Sequence, residues 1–574
     1  MQESQVENEH AQDATTSATS ATNASGDDTG NHSWRWWLAR IASAIVIPLV
    51  LLGIAEVCLR TFNVGYSTDL LQPCALHGQP ASCYNLFFPA PFFPPGMIKT
   101  PQAYAIPRVK PAGTFRIFVL GESAAMGDPD PAYGFSRYLE VMLQQRFPEK
   151  RFEVVNTGSV AINSHVLLPI ARQLAEQRPD VFIIYSGNNE VVGPYGPGTA
   201  LTSSAMSLLV IRASIFLRST RIGQLLTTVG TQKREWGGME MFLDKQVPAS
   251  SPLMKNTYAN FENNLRDTVV AASKSGAQVI ISTVATNLKD CGPFASQHRA
   301  DLSQKDLQKW TALIQQASQL EATRSYNEAM KLYSSALQID DQYAELEFRI
   351  ARCLWAMGNY AGARRHFVRS RDLDTLRFRA DSEINDINRA VASSVPGVQL
   401  VDAETILAAQ SPNEILGRDM IYEHVHLTPT GNYLLARAMF ESISGRIAGQ
   451  PTADSQIPSQ AECDRLLAFT AYDRYRIANE MLQRLQRPPF TTQLNHSEQL
   501  FRMMLDAQPP SESPDDTANE YRFAQAQRPD DRVLHYNYGL FLYNFDPRAG
   551  AEELKLSQPW DGFPVFAPDG TQIQ

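Results

Sequence analysis

Phe115-Arg116-Ile117-Phe118-Val119-Leu120-Gly121-Glu122-Ser123 decides the fold class. Its first six residues are largely apolar, and the run stops in a Gly followed by polar residues. A short run without strict alternation suits a strand covered on both faces, as strands are in a parallel sheet. Four more runs of this kind follow, at Phe152–Val155, Val181–Tyr185, Val279–Thr283 and Val398–Val401. Between and after them lie Tyr138–Phe147, Val166–Gln177, Tyr258–Ser273, Phe378–Ala392 and Gly431–Ser442, each with apolar residues three and four apart, the spacing of a one-sided helix. This alternation predicts an α/β fold on a doubly wound parallel sheet, with binding or catalytic loops at the C-terminal ends of the strands.

Outward from that core, the 574 residues are long enough for several structural units and a large core without staples. The net charge is −9, but residues 1–33 hold six acids and no Lys or Arg; without those six acids the balance is −3. That leaves no broad basic field, so nucleic acid is not an expected partner. Residues 1–33, rich in Ser, Thr, Ala, Asn and Asp, read as a disordered acidic tail. A Trp cluster and an apolar stretch follow, and 36–59 is expected to be a single transmembrane helix, long enough to cross a bilayer with Arg40 reaching toward the headgroups. Arg35 and Arg40 precede it and Arg60 follows, a bias that favours a cytoplasmic N-terminus and a periplasmic or otherwise extracytoplasmic location for the bulk of the chain.

Residues 60–105 are rich in Pro and Phe and read as an extended connecting strap packed by its Phe rings. Cys74 and Cys83 lie close together there; a bridge in an oxidising compartment and two unrelated thiols are both open readings. None of the six cysteines forms a CxxC pair. Between the fourth and fifth apolar runs the pattern breaks into a repeat. Tyr326/Tyr360, Ala329/Ala363, Tyr333/Phe367 and Ala336/Ser370 are each 34 residues apart, the tetratricopeptide period, which places repeats at 307–375. The helical region 451–574 carries a weaker echo in Gly539 and Ala551. Residues 203–228, apolar with Arg212, Arg218 and Arg221, read either as a helix packed on the domain or as a lid or membrane-surface helix.

Three loops carry candidate chemistry. Ser123 stands just past the first strand, at a helix start, where a hydroxyl is exposed at the sheet edge. Ser186-Gly187-Asn188-Asn189-Glu190 follows the third strand. Tyr422-Glu423-His424-Val425-His426-Leu427-Thr428-Pro429 precedes the last sheet helix, with a carboxylate and an imidazole three residues apart.

In this order the loops resemble the blocks of the SGNH (GDSL-like) hydrolase family, whose fold is flavodoxin-like. The resemblance covers 106–306 and 376–450, with the repeats inserted. It implies Ser123 as nucleophile, His426 as general base, Glu423 as its orienting acid and Asn189 as a side-chain oxyanion donor. Glu122, Glu190 and Glu423 stand where the family usually has Asp. The second-block Gly, counted from Asn156, falls on Ala161, with Gly158 three residues earlier, so the backbone donor is open between Ala161 and Gly158. The implied activity is that of a serine esterase or acyl hydrolase on an acyl ester substrate, with no metal or organic cofactor and with a protein partner on the repeats.

Transfer of the acyl group to a polysaccharide or other envelope acceptor is the alternative, and a tetratricopeptide scaffold with a relict site is the second. A rival for the last loop uses Glu423, His424 and His426 as metal ligands, though no third His- or Cys-bearing motif stands nearby. The repeats are expected to overhang the catalytic edge.

Overall fold

The computed structural model describes residues 34–98, 101–202, 207–228, 235–449, 456–568 and 570–573. The expected acidic tail, 1–33, lies outside them. The chain divides into two units, Met1–Phe62 and Asn63–Gln574. In the first, α1 (Trp34–Thr61) is long and apolar enough to cross a membrane. From Ile41 to Val57 every residue but the half-buried Glu56 is exposed, with apolar side chains all round the helix.

The second unit opens on β1 (Leu71–Leu76), β2 (Gln79–Tyr84) and β3 (Ala105–Pro107), an antiparallel sheet inside the expected strap. The strap is therefore not simply extended. His77 and Gly78 both take positive φ and close a two-residue hairpin turn, a backbone state more often marked by Asn-Gly. Cys74 and Cys83 are disulfide-bonded across that hairpin. Phe88, Phe92 and Phe93 are buried in the main core, as the Phe-rich sequence leads one to expect.

The central sheet contains β4 (Thr114–Gly121), β5 (Arg151–Asn156), β6 (Val181–Tyr185), β7 (Gln278–Ser282) and β8 (Val398–Val401). All pairs are parallel and the order is β5-β4-β6-β7-β8. Strands β6 and β7 are buried along their whole length, which is why they read as continuous apolar runs. The first connections carry α2 (Ser123–Met126), α3 (Phe135–Arg146), α4 (Ser164–Leu174), α5 (Leu208–Ser219), α6 (Arg221–Thr228) and α7 (Pro252–Ser273). Between β7 and β8 come α8 (Gln304–Ala322), α9 (Tyr326–Leu337), α10 (Ala344–Ala356), α11 (Tyr360–Leu373) and α12 (Ser382–Ser394); after β8 come α13 (Ala403–Gln410) and α14 (Pro429–Ala448). Helices α4, α7 and α12 form one packed layer and α3 with α14 another, so the sheet is wound on both sides.

Helices α8 and α9 pack with α10 around Trp310, Tyr333 and Ile350. In turn α10 and α11 sit on the sheet domain through Phe348, Ala363 and Phe367 against Leu288 and Ile415. The C-terminal region adds α15 (Gln460–Leu466), α16 (Ala471–Leu485), α17 (His496–Asp506), α18 (Pro514–Gln527), α19 (Arg532–Tyr543) and α20 (Pro547–Leu556). It is bound to α3 and its approach loop: Tyr133 donates to the Ala468 carbonyl at 3.1 Å, and Arg137 pairs with Asp531. A last strand pair, β9 (Val565–Phe566) with β10 (Gln572–Ile573), lies in a stretch whose sequence pattern announces no strand.

Candidate active site

Strand β4 ends at Gly121, where an added Cβ would lie 2.1 Å from the Tyr185 carbonyl oxygen, so only glycine lets the β4 and β6 ends approach this closely. The next residue, Glu122, is buried and accepts from the Ser186 hydroxyl (3.1 Å) and the Gly187 and Asn188 N–H groups (3.1 and 2.8 Å). Burial pushes its carboxyl up to about 7 against those hydrogen bonds. Glu122 thus staples the loop after β4 to the loop after β6 and sets Ser123 at the edge. Glu190 does similar work further along: its two oxygens accept from Ser164 N–H and Oγ, both at 2.8 Å, and burial with the nearby Glu122 charge pushes it up to about 8.

The loop before α14 is tight. Tyr422 N–H donates to the His426 carbonyl (2.8 Å), and Ile421 bridges Leu427. Thr428 caps α14 by accepting from Gly431 N–H (3.2 Å), with Pro429 in the first helical position. Inside this loop Glu423 is wholly buried. One of its oxygens accepts from the Val425 and His426 N–H groups (3.0 and 3.3 Å) and from that of His424; the other meets His426 Nδ1. On its far side His426 Nε2 stands 2.8 Å from Ser123 Oγ. The predicted serine, imidazole and carboxylate are therefore brought into one hydrogen-bonded line from loops 303 residues apart.

Burial disfavours a charged His426, but the Glu423 and Asp128 carboxylates outweigh it and raise the pKa above the usual histidine value. For His424 burial wins, and the pKa falls. The ring sits in an aromatic box of Phe294, Phe378 and Phe490 and keeps a 3.0 Å approach to Glu423 without hydrogen-bond alignment. Donor atoms of Glu423, His424 and His426 lie within 4.8 Å of one another, close enough for a metal. Both Glu423 oxygens, however, are already engaged by backbone N–H groups and His426, which fits a carboxylate–imidazole pair better than a ligand set.

Ser123, Ala161, Asn189 and His426 line one cavity of about 360 Å³. Asn189 gives one N–H to the Ile162 carbonyl (3.1 Å), leaving its amide a second donor. Ala161 has φ of 62°, a left-handed backbone that costs an L-residue about 1–2 kcal/mol and that glycine adopts freely. Gly158 does not line the cavity, and its N–H donates to Asn156 Oδ1 at 2.9 Å. Of the two backbone candidates, Ala161 is the one that lines this cavity together with Ser123.

Two charged residues at this site had no clear sequence signal. Asp128 Oδ2 lies 3.0 Å from His426 Nε2, and Arg484 of α16 holds Asp128 by two contacts of 2.9 Å while also reaching Glu423 (3.3 Å) and His426 Nδ1 (3.2 Å). Burial opposes ionisation of Asp128, but His426 and Arg484 outweigh it and lower its pKa. Trp236, Phe242, Phe378 and Phe490 complete an apolar wall. The expected overhang of the repeats is not found: the lining includes Glu480, Arg484 and Phe490 of the C-terminal region and nothing from 304–373. A separate cavity of about 820 Å³, between the repeats and α17, shares no lining residue with this one.

The model of the tetratricopeptide repeat family matches residues 320–374, in agreement with the 34-residue period. None of the curated proteins matches the chain. Among solved structures, the acetyl xylan esterase AlAXEase is similar at 12% identity with a TM-score of 0.27, over 57% of this chain and 100% of its own. LAE5, an alpha/beta hydrolase from the metagenome of Lake Arreo, Spain, is similar at 14% identity and the same TM-score, over 57% of this chain and 95% of its own. Likeness at that score carries no weight; the α/β fold assignment rests on the parallel five-stranded sheet itself.

Proposed function

We propose that this chain is a membrane-anchored, extracytoplasmic serine acyl hydrolase of the SGNH type. The observation that carries the reading is the line Ser123 Oγ–His426 Nε2 at 2.8 Å with Glu423 on His426 Nδ1. His426 takes the Ser123 proton as Oγ attacks an ester carbonyl; Glu423 holds the ring and offsets the charge of the imidazolium. The oxyanion is received by the Ser123 and Ala161 N–H groups and the Asn189 amide. His426 returns the proton to the departing alkoxide, and water then cleaves the acyl-enzyme, leaving Ser123 free. The apolar wall suits the acyl chain. The α1 span supports the anchor, and the Cys74–Cys83 bridge supports an oxidising compartment.

The test is covalent labelling of the full-length chain in detergent by a fluorophosphonate, alongside release of free acid from short- and long-chain esters. Ser123→Ala should abolish both while the protein keeps its melting transition. Equal labelling of the variant removes Ser123 from the reaction. Acyl product found on an added alcohol in place of free acid assigns transfer, and stoichiometric zinc lost in His424→Ala assigns the metal reading of the Glu423–His426 loop.

A further inference from the structure

Helix α5 is apolar on the side where a surface helix is normally polar. Its inner side is accounted for: Ile211 is fully buried, and Arg212 reaches Asn264 (2.9 Å) and Asp267 (2.6 Å) on α7. Its outer side carries Leu209, Val210, Phe216 and Leu217, spaced i, i+1, i+7 and i+8 and therefore on one face, with exposures of 78%, 57%, 71% and 52%. Leu226 of α6 and Phe87 are exposed as well, at 65% and 51%. Phe87 is joined to the pair through Tyr66, which stacks on it at 4.7 Å and exchanges two backbone hydrogen bonds with the Gln224 side chain (3.0 and 2.9 Å). The exposed apolar face of α5 is of the kind that marks an interaction surface.

We infer that this face docks on the lipid bilayer, an assignment that rests on α1 spanning a membrane as proposed above. Two observations select lipid over a protein. Tyr66 follows Thr61, the last residue of α1, by five positions, and five residues reach at most about 18 Å. The chain therefore leaves the span and is at once hydrogen-bonded to α6, with Thr68 adding a contact to the Ser219 carbonyl (3.4 Å) at the end of α5. The second observation is charge. Leu208–Thr228 contains no Asp or Glu that would be repelled by anionic headgroups, while its Arg212 and Arg218 are engaged by Asp267 (2.6 Å) and by the Phe93 carbonyl (3.2 Å). A lid over the catalytic cavity is not supported, because no residue of α5 or α6 lines it. Docking here uses the anchor twice: α1 tethers the domain and α5–α6 fix its orientation on the surface.

The experiment is photocrosslinking of the full-length chain in phosphatidylcholine–phosphatidylglycerol vesicles. Benzoylphenylalanine replaces Phe216 on the proposed face, Leu49 in α1, or Phe501 on α17, which is 63% exposed elsewhere. Lipid adducts at Phe216 and Leu49, and their loss at Phe501, are the expected result. An adduct at Leu49 without one at Phe216, or a protein adduct at Phe216 in place of lipid, overturns the docking surface and leaves the anchor standing. Absence of lipid at Leu49 overturns the anchor, and the docking surface with it.

Discussion

His426 has a charged neighbour on each side: Glu423 at Nδ1, Asp128 3.0 Å from Nε2, and Arg484 3.2 Å from Nδ1. The two carboxylates favour its charged form and the guanidinium opposes it. In the proposed reaction His426 must be neutral to accept a proton, so kcat/KM should rise with pH through a pKa lying above the usual histidine value. Asp128→Asn removes one carboxylate and should move that acidic limb to lower pH. Arg484→Gln removes the opposing cation and should move it to higher pH. Opposite displacements in pH profiles with a short-chain ester are the check; no movement in either variant would make the Asp128–Arg484 pair purely structural. Asp128 stands only five residues past Ser123, but a loop carboxylate carries no mark of its partner in the sequence. Arg484 sits on a helix whose periodicity only says that it is helical.

The repeat helices are keyed into the sheet domain more firmly than an inserted module need be. Arg371, near the end of α11, is almost wholly buried and reaches Asp372, Thr286, Ser382 and Glu404. Asp374, just beyond, accepts from the Phe294 and Ala295 N–H groups (2.9 and 3.1 Å) and pairs with Arg379 (3.1 Å). Phe294 then packs against His424. Excision of the repeats through 375 would therefore strip support from the wall behind the site. Arg371→Ala leaves buried acceptors and carboxylates without their cation and should destabilise the domain by about 3 kcal/mol in denaturant titration. A loss below about 0.5 kcal/mol would show the two parts to be weakly coupled. The 34-residue period was legible because small and aromatic residues must recur where helices cross. The docking of that period onto Leu288 and Ile415 was not, because nothing in the repeat itself encodes the surface it meets.

Across the whole molecule, distant stretches of the chain complete one another. Asp561 near the C-terminal end accepts from the His77 and Gly78 N–H groups (2.9 and 2.7 Å), binding the last segment to the first hairpin, while α16 delivers Arg484 to the cavity. The proposed anchor adds a direction to this assembly. With Arg35 and Arg40 before the span and Arg60 after it, a reporter enzyme that works only after export should be active when fused at the C-terminus. Activity of a cytoplasm-only reporter at that position would reverse the orientation.

What the sequence determined by itself is what local chemistry repeats: buried strands read as apolar runs, helices as a 3.6-residue pattern, the N-terminal helix as a long apolar stretch over 36–59 with Arg40 and Glu56 its only charges, and the candidate loops as the segments that must follow parallel strands. The loops of Ser123, Asn189 and Glu423–His426 could be singled out because each lies within a few residues of a strand or helix end that orders it, while the roles expected of those residues came from their resemblance to the SGNH blocks. Only the tertiary structure decided the strand order, the placing of Ala161 and not Gly158 on the cavity that Ser123 lines, the hairpin within the Pro-rich strap, and the contact of Asp128 with Arg484 from 356 residues away. Those features depend on pairings between segments far apart in the chain. Their energy comes from burial and from charges meeting in a low-dielectric site, and neither exists until the whole chain has folded.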